Sequence, residues 1–152
     1  MKDYSYHKKA IDDMIGKLKE LDIDLYVIIT AEGCDPMTSF IPGVDTVGSG
    51  AFLFTQEGKK LATASSIDAQ DVEESGLFDE VVRYQSYDET LAEMVLSLKP
   101  RRIALDYSEN VPFCDGLTMG KYEKFVKSLG GYAFEACSAD LFIPDVQEMN
   151  KQ

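Results

Sequence analysis

The sequence predicts an α/β domain: a mixed, mostly parallel six-stranded sheet with helices on both faces. Three observations predict it. Short apolar, β-branched runs alternate with segments whose apolar residues recur at helical spacing. Only one pair of runs is joined by a turn too short for a crossover. The chain has 152 residues, 45% hydrophobic and 28% charged, which suits one domain around one continuous core.

The elements follow in order. Ile11, Met14, Ile15, Leu18 and Leu21 define an amphipathic helix, roughly Asp3 to Leu21, with Lys17 and Lys19 in its last turns, where cations suit the dipole. Leu25 to Thr30 is a continuous apolar run and reads as a buried central strand. Residues 31–50 carry Gly33, Pro36, Pro42, Gly43, Gly48 and Gly50 and read as a long loop, a feature that is often functional. Ala51 to Thr55 and Lys60 to Ala64 form a hairpin about Gln56-Glu57-Gly58-Lys59. Ser65 or Ser66 caps a short helix over Asp68 to Ser75, and Glu80 to Tyr84 is the fourth strand. Leu91, Met94, Val95 and Leu98 mark a helix stopped at Lys99-Pro100, and Arg102 to Asp106 is the fifth strand. Thr118 caps a helix with Tyr122, Phe125, Val126 and Leu129 on one face, ended by Gly130-Gly131. Tyr132 to Ala136 is the sixth strand, and Ser138 caps the segment after it. Apart from the hairpin, the links are expected to be right-handed crossovers.

Composition narrows the function. Fifteen Lys and Arg against 27 Asp and Glu give a net charge of −12, which argues against nucleic acid and against anionic membranes as partners. The start, Met1-Lys2-Asp3-Tyr4, has no apolar signal region, and no run is long enough to span a bilayer. Cys34, Cys114 and Cys137 are few, odd in number and scattered, so no disulfide framework is expected and a reducing cytoplasm is the simplest setting.

Catalytic chemistry can be tested by residue supply. His7 is the sole histidine and reads as an exposed helical residue, which leaves a nucleophile–histidine pair unsupported. Cys137 reads as a small buried residue at a strand end rather than a low-pKa thiol. Gly48-Ser49-Gly50 precedes a strand, the wrong context for a phosphate loop. Asp68, Asp71, Glu73 and Glu74 read as a solvated helix face. Asp106 ends a central strand, where it could serve a small acidic enzyme or bond nearby loop amides. The long loop is the best candidate: Asp35-Pro36 and Phe40-Ile41-Pro42-Gly43 set an acid and an aromatic on a proline-braced segment. There Phe40 either meets a protein partner or plugs the end of the core.

These residues carry a resemblance. The helix, the entry Asp22-Ile23-Asp24-Leu25, the apolar strand, the loop ending Phe40-Ile41-Pro42-Gly43 and the Gly58 hairpin follow in an order that resembles the N-terminal domain of creatinase, prolidase and aminopeptidase P, the pita-bread metallopeptidases. That loop commonly reads Tyr-Leu-Thr-Gly-Phe in the family. Phe40, Ile41, Gly43 and Val44 match it in type, and Pro42 stands where Thr or Ser is usual. Gly76 to Val81 and Asp115-Gly116-Leu117-Thr118 resemble a bacterial branch of Xaa-Pro dipeptidases.

The resemblance implies a creatinase N-terminal-like fold with a ribonuclease H-like motif, covering residues 1–142. Residues 143–152 are then the start of a helix leading to a C-terminal catalytic domain absent from this chain. That domain would hold two divalent ions (Mn, Co or Zn) on Asp, Asp, His, Glu and Glu. No activity, cofactor or metal is expected in this chain alone. The implied roles are homodimer contacts and enclosure of the substrate cleft, with Asp35, Phe40, Gly43 and Asp45 as the contributing loop residues. The alternative is a stand-alone protein-interaction module of the same fold.

Overall fold

A computed structural model describes residues 2–151. The elements are α1 (Ser5–Leu21), β1 (Leu25–Ala31), α2 (Met37–Phe40), β2 (Ser49–Thr55), β3 (Lys60–Ala64), α3 (Ser66–Glu74), β4 (Glu80–Arg83), α4 (Tyr87–Leu98), β5 (Arg102–Leu105), α5 (Met119–Ser128), β6 (Glu135–Ser138) and α6 (Ile143–Met149). Single 3-10 turns cover Pro112–Cys114 and Ala139–Leu141.

The six strands form one mixed sheet in the order β4-β3-β2-β1-β5-β6. Pairings β3–β4, β1–β5 and β5–β6 are parallel, and β2–β3 is the expected hairpin. One link departs from expectation. β1 and β2 pair antiparallel along their whole length, from Leu25 opposite Thr55 to Ala31 opposite Ser49, rather than through a crossover. The reason lies in the connection. Residues 32–48 hold only the single turn of α2, too little to cross the sheet. The chain therefore folds back at the end where β1 left, and a strand re-entering from that end must run antiparallel.

Alternation along β1 divides the core. Tyr26 and Ile28 join Phe52, Phe54, Met14, Leu18, Phe142 and Val146 on one face. Leu25, Val27 and Ile29 join Leu53, Leu91, Val95 and Phe125 on the other. Buried on both faces, β1 can be apolar at every position. Ile143 and Val146 are fully buried, so α6 is packed into this core beside α1.

Other details differ from the sequence reading. β6 begins at Glu135, not Tyr132. Gly130 (φ 61°) and Gly131 (φ 87°) turn the chain, and Tyr132 N–H still donates to Leu129 O. Tyr132 and Phe134 instead pack against the α4–α5 face, with the Tyr132 hydroxyl donating to Pro100 O. On α5 only Phe125 is buried, with Leu129 just past its end; Tyr122 and Val126 are exposed, because this outer helix covers the core with a narrow stripe.

The amino end of the sheet is tied by ions. Asp24 accepts from Arg101 N–H (2.7 Å) and Arg102 N–H (3.2 Å), fastening the start of β1 to the start of β5. The Arg101 guanidinium spans Asp22 and Asp24, and Gln56 donates to both. The Arg101 side chain and these amides hold the Asp24 carboxyl down at about 2.

Candidate functional site

The carboxyl ends of the parallel strands gather the unusual chemistry. β1 leaves the sheet at Ala31, and Glu32 (φ 55°) and Gly33 (φ 64°) reverse the chain. Asp35 then starts α2: its Oδ1 accepts from Met37 N–H at 3.0 Å, and its carbonyl accepts from Thr38 N–H. Met37 and Ile41 drop into the core beneath. Gly43 N–H closes the turn on Thr38 O at 2.8 Å. Its φ is 64°, and the His7 ring lies against its α-carbon so closely that any Cβ would collide.

His7 is therefore half-buried, not an exposed helical residue. Its Nδ1 sits 3.2 Å from Phe40 O, and Lys2 Nζ donates to Gly43 O at 2.5 Å. The loop's return is held by Asp68. This carboxylate is buried rather than on the solvated face of α3. It accepts from Val47 N–H and Gly48 N–H, each at 2.9 Å, and from Ser65 Oγ at 3.1 Å. Gly48 thus spends its amide on Asp68. The signal for this was present: Ser65 and Asp68 stand at capping-box spacing before an apolar helix face.

The four loop residues go to different places. Asp35 is fully buried. Phe40 is half-buried between Tyr6 and Phe113, with ring centroids 6.4 and 6.0 Å away. Its outer edge borders a hollow with Gln147 and Lys151. Gly43 and Asp45 share a second hollow of about 370 Å³ with Lys2, Tyr4, Asp71 and Glu74. Asp45 is exposed there, in acidic company.

Asp35 meets the acid that follows β5. The Asp106 carboxyl lies within hydrogen-bond reach of it. The Tyr26 hydroxyl, from β1, donates to Asp106 Oδ1 at 2.5 Å. Asp35 Oδ2 and Asp106 Oδ2 are both buried without any other partner. Burial pushes both carboxyls above the usual range, Asp106 far above it, and the neighbouring acid adds to the Asp106 shift. Burial and the nearby carboxyls raise the Cys114 thiol to about 12. Asp106 is 1% exposed, and its reachable partners are Tyr26 and Asp35 rather than loop amides. Among the described residues no group of three or more His, Cys, Asp or Glu could hold a metal ion.

The sequence reading missed the surface around this site. Val47, Ile67 and Met119 are each more than 70% exposed, and Leu141 is 52% exposed. All four stand at the carboxyl end of the sheet, where β2 begins, where β3 and β6 end and where α5 begins. No helix among the described residues is long and apolar enough to cross a membrane.

This arrangement is that of a sheet domain with a fastened loop and an apolar rim. No known family and no curated protein matches the sequence. Solved structures do match the fold, which is that of N-terminal domains of prolidase and aminopeptidase P chains. An X-Pro aminopeptidase from Thermotoga maritima is similar at TM-score 0.67 and 17% identity, over 91% of this chain and 35% of that one. An Xaa-Pro aminopeptidase structure from Streptococcus pyogenes aligns at TM-score 0.70 and 11% identity, over 95% and 99% of the two chains. The N-terminal domain of a cytoplasmic peptidase from Mycobacterium tuberculosis aligns at TM-score 0.67 and 13% identity, over 90% and 97%. The chain thus spans about a third of the length of the first of these.

Proposed function

We propose that this chain is the non-catalytic N-terminal domain of a metal-dependent Xaa-Pro dipeptidase or aminopeptidase. In this reading residues 1–142 are the domain body, and α6 begins the connection to a catalytic domain. The observation that carries the proposal is the fold match over more than nine-tenths of the chain to the N-terminal portion of such an enzyme. The metal ions, two divalent cations of the Mn, Co or Zn kind, belong to that second domain. There they would activate a water for attack on the scissile carbonyl. The role of this chain is contact: homodimer packing and closure of the substrate cleft in a cytoplasmic enzyme.

The exposed rim of Val47, Ile67, Met119 and Leu141 supports a docking role, since apolar side chains this exposed gain by being covered. Phe40 and Asp45 present the loop's reachable aromatic edge and charge, while Asp35 and Gly43 shape the loop from within.

The test is a pair of variants, Phe40→Ala and Val47→Asp, in the full gene product. Hydrolysis of an Xaa-Pro dipeptide and the solution mass are measured together. A fall of about tenfold in kcat/KM or dissociation of the dimer is expected, equivalent to about 1.4 kcal/mol. Wild-type kinetics and mass in both variants would refute the contact role. A gene product that assembles with another protein but hydrolyses no Xaa-Pro peptide would favour the stand-alone interaction module.

A further inference from the structure

The geometry points to a proton shared between Asp35 and Asp106 that latches the loop of residues 32–48 to the end of β5. Two orphaned atoms carry it. Asp35 Oδ2 and Asp106 Oδ2 are the only side-chain carboxylate oxygens among the described residues that are buried without a partner. Every other polar atom of the two groups is used: Asp35 Oδ1 accepts from Met37 N–H, and Asp106 Oδ1 accepts from the Tyr26 hydroxyl. Two carboxylates cannot bond each other, but a carboxylic acid and a carboxylate can. One proton between the two Oδ2 atoms satisfies both and removes one of two buried charges.

The position of the proton is set by the partners. Each acid accepts one bond that favours its charge, Asp35 from Met37 N–H and Asp106 from Tyr26, but burial raises Asp106 further, so Asp106 is the donor and Asp35 the acceptor. The surroundings offer no other neutralisation. Tyr26 faces the pair from β1, and Cys114 faces it from the Pro112–Cys114 turn. Asp140, from the Ala139–Leu141 turn, lies beyond Cys114 and accepts from Ser108 Oγ. No Lys, Arg or His among the described residues bonds either acid. Gly116 closes the last side: a Cβ there would stand 2.5 Å from Asp35 Oδ1 and 2.8 Å from Pro36 Cδ.

The consequence is a loop whose closure depends on pH. Asp35 sits at the loop's first turn, just ahead of Phe40 and Asp45. When the shared proton leaves, two like charges face each other in a dry site, and their repulsion weakens the tie between the loop and the end of β5. The folded form holds this proton more tightly than the unfolded chain does. The latch is therefore complete below the ordinary carboxylate range and weakens as pH rises towards the raised value.

Two measurements on the 152-residue chain test it. Infrared difference spectra at neutral pH should show the C=O stretch of a protonated carboxylic acid, absent in Asp106→Asn and retained in the exposed control Asp45→Asn. Absence of that band in the wild type overturns the shared proton without needing any variant. Amide exchange in residues 37–48 should accelerate by at least about tenfold beyond its intrinsic pH dependence across the alkaline range, the effect of one pK unit. In Asp106→Asn, where the amide can donate to Asp35 and its oxygen can accept from Tyr26, the acceleration should vanish. A band that titrates while loop protection stays constant, or an acceleration equal in Asp106→Asn, overturns the latch.

Discussion

The two ends of the β1–β5 pair are held by the same residue type in opposite states. At the amino end, Asp24 is half-buried, paired with Arg101, capped by two amides and held down at about 2. At the carboxyl end, Asp106 is dry, paired with another acid and a phenol, and held far above the carboxylate range. Aspartate chemistry is identical in both, so the difference comes from desolvation, hydrogen bonding and partner charge. One end is a fixed ionic clamp. The other depends on a proton, and it carries the loop.

The dry end should suffer most from loss of its apolar support. Phe142 sets its ring edge-on to Tyr26, centroids 5.1 Å apart, and is fully buried. Phe142→Ala should cost about 3–5 kcal/mol in urea unfolding. Tyr26→Phe should cost about 1–3 kcal/mol by leaving Asp106 Oδ1 without its donor, and the loss should be measurable in the same titration. Asp24→Ala should cost about 1–2 kcal/mol at neutral pH, because two backbone amides lose their acceptor. That loss has a defined window. The folded pKa is lowered, so the contribution is present above the unfolded value of about 4 and disappears as pH falls towards 2. Unfolding curves of wild type and Asp24→Ala should therefore converge in acid. Arg101→Ala should cost the least of the four and become silent in high salt, because the guanidinium is mostly exposed. A large, salt-independent loss there would mean that the Arg101 guanidinium is not screened by solvent.

Much of this fold was legible in the chain. β3 falls where Lys60 to Ala64 predicts, and Ser65 and Thr118 cap α3 and α5. These features are local, set by turn chemistry and side-chain period. β1–β2 pairing was misread because a long loop looks like a crossover until its internal structure is known. β6 was placed early because Tyr132-Ala133-Phe134 has strand composition, although those residues are spent joining α5 to the sheet. The site was half legible. The loop and Asp106 each stood out, but nothing in the sequence joins Asp35 to an acid at the end of β5. That contact exists only because β1 and β5 are neighbours in the sheet. Asp68 looked solvated because its helix is otherwise acidic and exposed; its burial results from the loop returning over the helix start.

The order of strands also restricts how a partner can approach. Both edges of the sheet, β4 and β6, are short and carry charge: Glu80 and Arg83 on one, Glu135 in an ion pair with Arg102 on the other. An added strand would have to lie alongside those charges and displace their water, which is how natural sheets discourage edge-to-edge growth. Recognition by strand addition is therefore closed at both sides. A partner that covers the loop and its apolar rim would then read the domain end-on rather than through an added strand.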